Sequence, residues 1–310
     1  DFEGSANSSF GNFTGPNGTD QQKYGTNISA LYDGSTPGAP DTASTSGSIF
    51  KVTGAWTPSS DSLYYVTISE GFRPGLLNRP GGKSTTINGN LYTVPYELES
   101  DEVKNFEMGW KTDLMDGQMR LNGSIFYICI ENLQTTILDP AITNLFFSDN
   151  AANADVAGLE ADMIWMPAAL EGLTVSASVS LLDSEITKVL TPTNDVAAGS
   201  ELAFAPSFQG NLQARYEWDM APGIVAHVMP HVAHSADSYS DVILMNRDVI
   251  DSWTLVGLTA GITTDSWGAE FFIDNIADTR AEIARNFVFD RSRVSYANPR
   301  TMGMRLKFNF

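Results

Sequence analysis

Three histidines, His227, His231 and His234, crowd one short stretch and are the only histidines in the chain. Such a cluster invites a zinc reading, because imidazole nitrogens bind the metal at ~2 Å. In an extended strand, however, residues rise ~3.3 Å each and alternate between faces, so His227 and His231 share a face ~13 Å apart while His234 points the other way. One ion cannot take both rings, and a position on a lumen wall or rim is the expectation for them. Asp183 and Glu185 have the spacing of an acid and base pair, but they fall where an alternating segment runs into a polar loop, which fits a solvated rim. No Ser-His-Asp order and no Gly-rich phosphate loop beside a helix is present. Cys129 is the single cysteine; it has no disulfide or metal partner and reads as a small apolar filler. The chain therefore offers no catalytic residues, no metal ligands and no cofactor motif.

The elements that would position these side chains are strands. Of 310 residues, 42% are apolar and only 18% charged, with Gly, Ser, Thr, Asn and aromatics plentiful, a makeup of sheets and turns. No stretch approaches the ~18 consecutive apolar residues of a membrane helix. A formal net charge of -19 argues against a nucleic-acid partner, which requires clustered Lys and Arg. The acidic run from Glu97 to Glu102 reads as solvated loop surface.

From Ser48 onward, segments of period-2 alternation follow one another. Met302, Met304, Leu306, Phe308 and Phe310 interleave with Gly303, Arg305, Lys307 and Asn309. The same division sets Trp267, Ala269, Phe271 and Ile273 against Gly268, Glu270, Phe272 and Asp274, and Val256, Leu258, Ala260 and Ile262 against Gly257, Thr259 and Gly261. A soluble sandwich would also alternate, with its apolar face inward. The connections favour a barrel instead: short turns at 57–61, 115–117, 167–172, 219–222 and 264–266 alternate with long polar loops at 72–101, 189–204, 237–250 and 276–299, plus a tight tip near Asp139-Pro140. That alternation matches membrane barrels with tight periplasmic turns and long outer loops.

The expected architecture is all-β, an antiparallel transmembrane β-barrel wall of about eleven strands: 48–56, 63–71, 102–114, 118–138, 143–165, 173–187, 205–217, 224–236, 251–263, 267–275 and 300–310. Residues 1–46 read as an irregular extracellular loop and 47–310 as half of a barrel. An odd strand number with Phe310 on the periplasmic side implies that further strands precede Asp1, since complete bacterial barrels have an even number. Trp56, Tyr64, Trp110, Trp165, Tyr216, Trp253 and Trp267 fall near strand ends and are expected to face outward at the lipid headgroups.

Specific segments resemble a family, the TonB-dependent outer-membrane receptors. Leu63 to Gly75 looks like a strand ending in S-x-G-F-R-x-G, and Val103-Lys-Asn-Phe-Glu-Met-Gly-Trp-Lys111 resembles V-x-N-x-E-x-G-x-K. An Asp116-Gly117 turn, an Asn122–Tyr127 strand, Ala157-Gly-Leu-Glu-Ala-Asp162, Asp274-Asn-Ile-Ala-Asp278 and the terminal Asn298-Pro-Arg-Thr-Met-Gly follow in the family's order. The resemblance implies the second half of a 22-stranded barrel in a Gram-negative outer membrane, taking up a scarce nutrient such as a siderophore, cobalamin or saccharide. It implies partners too: the bilayer and lipopolysaccharide, an N-terminal plug with the remaining strands, and TonB through a segment absent here.

Within that frame, the polar positions Asn105, Glu107, Lys111, Arg120, Asn122, Gln209, Asn211, Gln213, Arg215, Glu270, Arg305 and Lys307 would line the lumen and hold the plug, or form a simple hydrated wall. Ligand capture would fall to outer-loop aromatics and Arg: Phe72, Arg73, Tyr92, Tyr96, Phe146, Phe147, Tyr239, Phe287 and Phe289, which offer stacking area, although for any one of them loop packing is the stronger expectation. Leu306, Phe308 and Phe310 resemble the C-terminal signal of barrel assembly. The rival reading is a structural or assembly component of the outer membrane, with the rest of the barrel on another chain.

Overall fold

The computed structural model describes residues 2–5, 42–78, 82–137, 139, 141–142, 147–288 and 291–309. Among the described residues nineteen strands run in chain order: β1 (Phe2–Ser5), β2 (Thr42–Thr45), β3 (Lys51–Ser59), β4 (Ser62–Arg73), β5 (Ser84–Ile87), β6 (Asn90–Thr93), β7 (Asp101–Leu114), β8 (Met119–Ile137), β9 (Phe147–Trp165), β10 (Leu173–Val189), β11 (Phe208–Ala221), β12 (Ile224–Ser235), β13 (Ser238–Tyr239), β14 (Val249–Ile250), β15 (Trp253–Thr263), β16 (Trp267–Asp274), β17 (Glu282–Val288), β18 (Arg291–Tyr296) and β19 (Thr301–Phe308). Eleven of them form one antiparallel sheet in the order β3-β4-β7-β8-β9-β10-β11-β12-β15-β16-β19. Each sheet strand pairs with the next one along the chain, and β3 and β19 are the two edges. Sequence alternation found all eleven.

The register shows why the alternation is so clean. Paired residues share a face, so rungs can be followed across the sheet. One rung reads Tyr65, Gly109, Ser124, Glu160, Ser180, Gln209, Ser235 and Trp253. The adjacent rung, on the opposite face, reads Val66, Met108, Ile125, Leu159, Leu181 and Phe208. Polar and apolar faces are thus separated by a single residue step. The apolar face is uncovered: Met108 is 54% exposed, and Met302, Met304, Leu306 and Phe308 on β19 are 56–66% exposed. An uncovered apolar band of that extent is stable against lipid rather than water.

Short connections lie at one end of the sheet and long ones at the other. Two of the short turns are tighter than the composition suggested. β3 continues to Ser59 through an irregularity after Trp56 that accommodates Pro58, and β11 continues to Ala221, leaving Pro222-Gly223 as the turn with Gly223 at φ +74°.

Three of the four long loops carry short strands of their own, the exception being 190–207. β5 and β6 form a hairpin, as do β17 and β18, while β13 pairs with β14 and β1 with β2. The last pairing replaces the irregular reading of residues 1–46 at its two ends; residues 6–41 lie outside the described residues. The β5–β6 hairpin turns on Asn88-Gly89 with both φ positive, +51° and +81°, the type I′ geometry that Asn-Gly favours.

The buried apolar core belongs to this loop end. Val94, Ile137, Ile142, Phe147, Ala151, Ala152, Ile186, Val196, Val242 and Ile243 pack together, with Tyr92, Val189 and Leu202 against them. They come from four loops, the one that holds β5 and β6, the β8–β9 connection with Ile142, and the loops 190–207 and 236–252, together with the tops of β8, β9 and β10. The molecule is therefore apolar outside along its wall and apolar inside across its loop layer.

Candidate functional site: the lumen wall and the loop layer

The polar face carries a groove of about 640 Å³ bordered by Tyr65, Lys111, Asn122, Glu160, Gln209 and Trp253. All twelve sequence-identified lumen positions lie on this one face, because each has the parity of the Tyr65–Trp253 rung. Their charges are mostly matched in place. Tyr65 donates to Glu107 Oε1 at 2.5 Å, Arg120 grips Asp113 through Nε and Nη2 at 2.7 and 2.9 Å, and Arg215 Nε donates to Glu217 Oε1 at 2.7 Å. Asn122 Nδ2 donates to Asp162 at 2.9 Å. Lys111 borders the groove without an ion-pair partner among the described residues.

Two of the histidines join this wall. His227, 6% exposed, places Nε2 3.3 Å from Glu270 Oε2, and Glu270 Oε1 accepts from Arg305 Nη1 at 2.6 Å. One rung-pair further up, His231 Nε2 lies 3.5 Å from Asp274 Oδ1. Both rings cross β15 over glycine: a Cβ on Gly261 would stand 2.8 Å from His227 and one on Gly257 2.1 Å from His231. His234 faces the other side, with Nδ1 2.8 Å from Thr254 Oγ1 and its ring 5.8 Å from Phe208. Among the described residues no three His, Cys, Asp or Glu side chains converge on a metal position.

The outward aromatics divide. Trp56 packs on Tyr64 at 5.7 Å and Tyr216 on Trp218 at 5.6 Å, and Trp110, Trp165 and Trp267 share the apolar parity. Trp253 does not. It pairs with Ser235 and stands on the polar face, since odd positions of β15 point inward and its neighbours Val256 and Leu258 point out. The headgroup role expected for it is corrected on that ground.

The loop aromatics are largely committed to structure. Phe147 is 1% exposed inside the loop core. Tyr92 packs on the same core and donates to Asp149, which also accepts from Thr191 Oγ1 at 2.6 Å. Burial, then the Asp149 carboxylate, pushes the Tyr92 phenol well above its ordinary pKa. Arg73 is held by Asp101, with Nε donating to Oδ2 at 2.6 Å. Phe72 has the parity of the apolar face and lies beside Gly47, away from the lumen. Tyr239 stacks under Arg247 at 3.6 Å, Tyr96 covers Gly82, and Phe287 pairs with Ser292 in the β17–β18 hairpin. Phe146, Phe289 and Phe310 lie outside the described residues.

Polar links hold the layer to the wall. Asn150 Nδ2 donates to Glu99 O at 2.9 Å and Asn132 O at 2.7 Å. Arg285 joins Asp248 at 2.6 Å and Glu282 at 2.7 Å, clamping the loops after β12 and β16 together. A second hollow, of about 250 Å³, lies beside this clamp between the start of β15 and the β17–β18 hairpin, bordered by Asp251, Trp253, Arg280, Glu282 and Tyr296. Sequence reasoning missed it because its residues come from separate segments with no shared period.

A wall apolar without and polar within, capped at one end by a packed layer of long loops, defines an outer-membrane β-barrel. The chain belongs to the TonB-dependent receptor family: the model of the TonB dependent receptor-like β-barrel matches residues 6–276. A curated relative, the metal-pseudopaline receptor CntO of Pseudomonas aeruginosa, is 26% identical over 270 residues, covering 83% of this chain and 34% of the relative. Among solved structures, the ferric yersiniabactin uptake receptor FyuA of Yersinia pestis aligns at a TM-score of 0.63 and 17% identity, over 84% of this chain and 37% of that one. The siderophore receptor PiuA of Acinetobacter baumannii aligns at 0.61 and 19%, over 83% and 35%. The chain spans about a third of the length of these relatives.

Proposed function

We propose that the receptor containing this chain takes up a metal chelate across the outer membrane, driven through TonB. The observation that carries the reading is the likeness to the CntO receptor across 83% of the chain, a relative named for a metal-chelate ligand. The reading favours a metal chelate over a saccharide as the ligand, on the strength of that relative's name. In this reading the loop layer receives the chelate and the mixed-charge lumen face holds a plug, with Glu107, Lys111, Arg215, Glu270 and Arg305 supplying contacts of both signs. Lipopolysaccharide and lipid meet the apolar face.

Deleting the gene and measuring uptake of radiolabelled metal chelates under metal limitation tests the reading. Uptake should fall at least tenfold, return on complementation, and stay absent in cells lacking TonB. Uptake unchanged by deletion, or independent of TonB, overturns it.

A further inference from the structure

The geometry points to the hollow bordered by Asp251, Trp253, Arg280 and Tyr296 as a binding site for the amino-carboxylate arm of a metal chelate, an inference that rests on the uptake reading above. Arg280 carries its guanidinium 4.3 Å above the Tyr296 ring. Among the described residues it has no carboxylate partner, although the chain holds 37 acidic residues against 18 basic ones. The neighbouring Arg285 shows the contrast, being neutralised by both Glu282 and Asp248. Asp251 on the same hollow is exposed and likewise without a partner. Two opposite charges thus border one hollow, neither in an ion pair among the described residues, beside Glu282, whose carboxylate is already taken up by Arg285.

That arrangement complements a ligand bearing a carboxylate and an ammonium together. Arg280 presents a planar, preorganised fork for the carboxylate, Tyr296 holds it in place through cation–π contact, and Asp251 accepts from the ammonium. Trp253 supplies an apolar wall. At about 250 Å³ the hollow is below the usual ~300–1,000 Å³ of a whole-ligand pocket, so it fits one arm of a chelate. Trp253 borders both this hollow and the lumen groove, so an arm seated here holds its chelate beside the mouth of the lumen.

The test uses the intact receptor purified in detergent, with gallium(III) complexes of L-DOPA, dopamine and dihydrocaffeic acid as calorimetric probes. They share a tris-catecholate core and differ only in the arm: zwitterion, ammonium or carboxylate. The L-DOPA complex should bind most tightly. Arg280→Ala should weaken the L-DOPA and dihydrocaffeate complexes about tenfold and spare dopamine, as loss of a charged hydrogen bond predicts; Arg280→Lys should recover part of the loss. Asp251→Asn should weaken L-DOPA and dopamine and spare dihydrocaffeate. If both variants bind all three probes as the wild type does, the inference is overturned while TonB-dependent uptake stands. If the wild type binds none of the probes yet imports another metal chelate, the arm assignment is likewise overturned. Loss of the uptake reading itself would appear only in the gene-deletion experiment.

Discussion

Gly257 and Gly261 stand four residues apart on β15, under the rings of His231 and His227. Their substitution should not cost equally. At Gly257 the closest neighbour is the far end of His231, which can swing away and give up only a half-exposed contact with Asp274, worth about 0–1 kcal/mol, and the Ile273 backbone oxygen stands at 3.0 Å, a tight fit that a shift of a few tenths of an ångström relieves. At Gly261 an added Cβ also meets the Ala269 backbone oxygen at 2.7 Å, which cannot move without disturbing the sheet, so Gly261→Ala should cost about 1–3 kcal/mol. Urea unfolding of the two variants in detergent measures the difference. In the loop core, Phe147→Ala should cost about 3–5 kcal/mol of local stability, read as faster proteolysis of the loops with the wall intact. At this scale parity was legible: a strand with one lipid face must alternate, which sorted the lumen residues and even the three histidines. The fate of Phe147 and Tyr92 was not legible, because an aromatic in a polar loop looks the same whether it meets a ligand or a neighbouring loop. Trp253 was legible and misread, its odd position being overruled by its place near a strand end.

At the level of elements, the loop 190–207 is tied in by Thr193 Oγ1 donating to Asp139 at 2.7 Å and by Leu244 N donating to Asp195 O at 2.6 Å. Burial first, and then the charge of Asp139, raises the Asp195 carboxyl above its ordinary value. A carboxyl whose folded pKa is raised binds its proton more tightly in the folded state. Its stabilising contribution is present below the ordinary pKa of about 4 and is lost as pH rises through the raised value. Protection factors of the 190–207 amides should therefore increase on mild acidification, and Asp195→Asn should raise them at neutral pH and flatten the dependence. The hairpins of the layer were only partly legible. The Asn88-Gly89 turn was a signal that could have found β5–β6, whereas β17–β18 contains Arg285, Asn286, Arg291 and Arg293 and no sustained apolar alternation.

For the whole molecule, the separation of faces makes a sharp comparison possible. Met304→Arg places a charge on the apolar face of β19 and should cost about 2–4 kcal/mol if it lies near the bilayer midplane. Gln209→Arg on the polar face should leave outer-membrane levels near those of the wild type. Quantifying the receptor in outer-membrane fractions separates the two. The wall was readable because one physical demand, lipid on one side, acts on every strand. The layer above it answers to contacts among distant segments. β9 spans both regimes, with Phe147, Ala151 and Ala152 buried in the loop core and Leu159 lower down on the apolar rung. This has a consequence for how such receptors change ligands over time. Because four segments share one core, exchanging a single loop with a relative would leave a hole in the other three. Successful recombinants should inherit the stretch from β5 through the loop after β12 as a block, with crossovers falling in the tight turns at the opposite end of the wall.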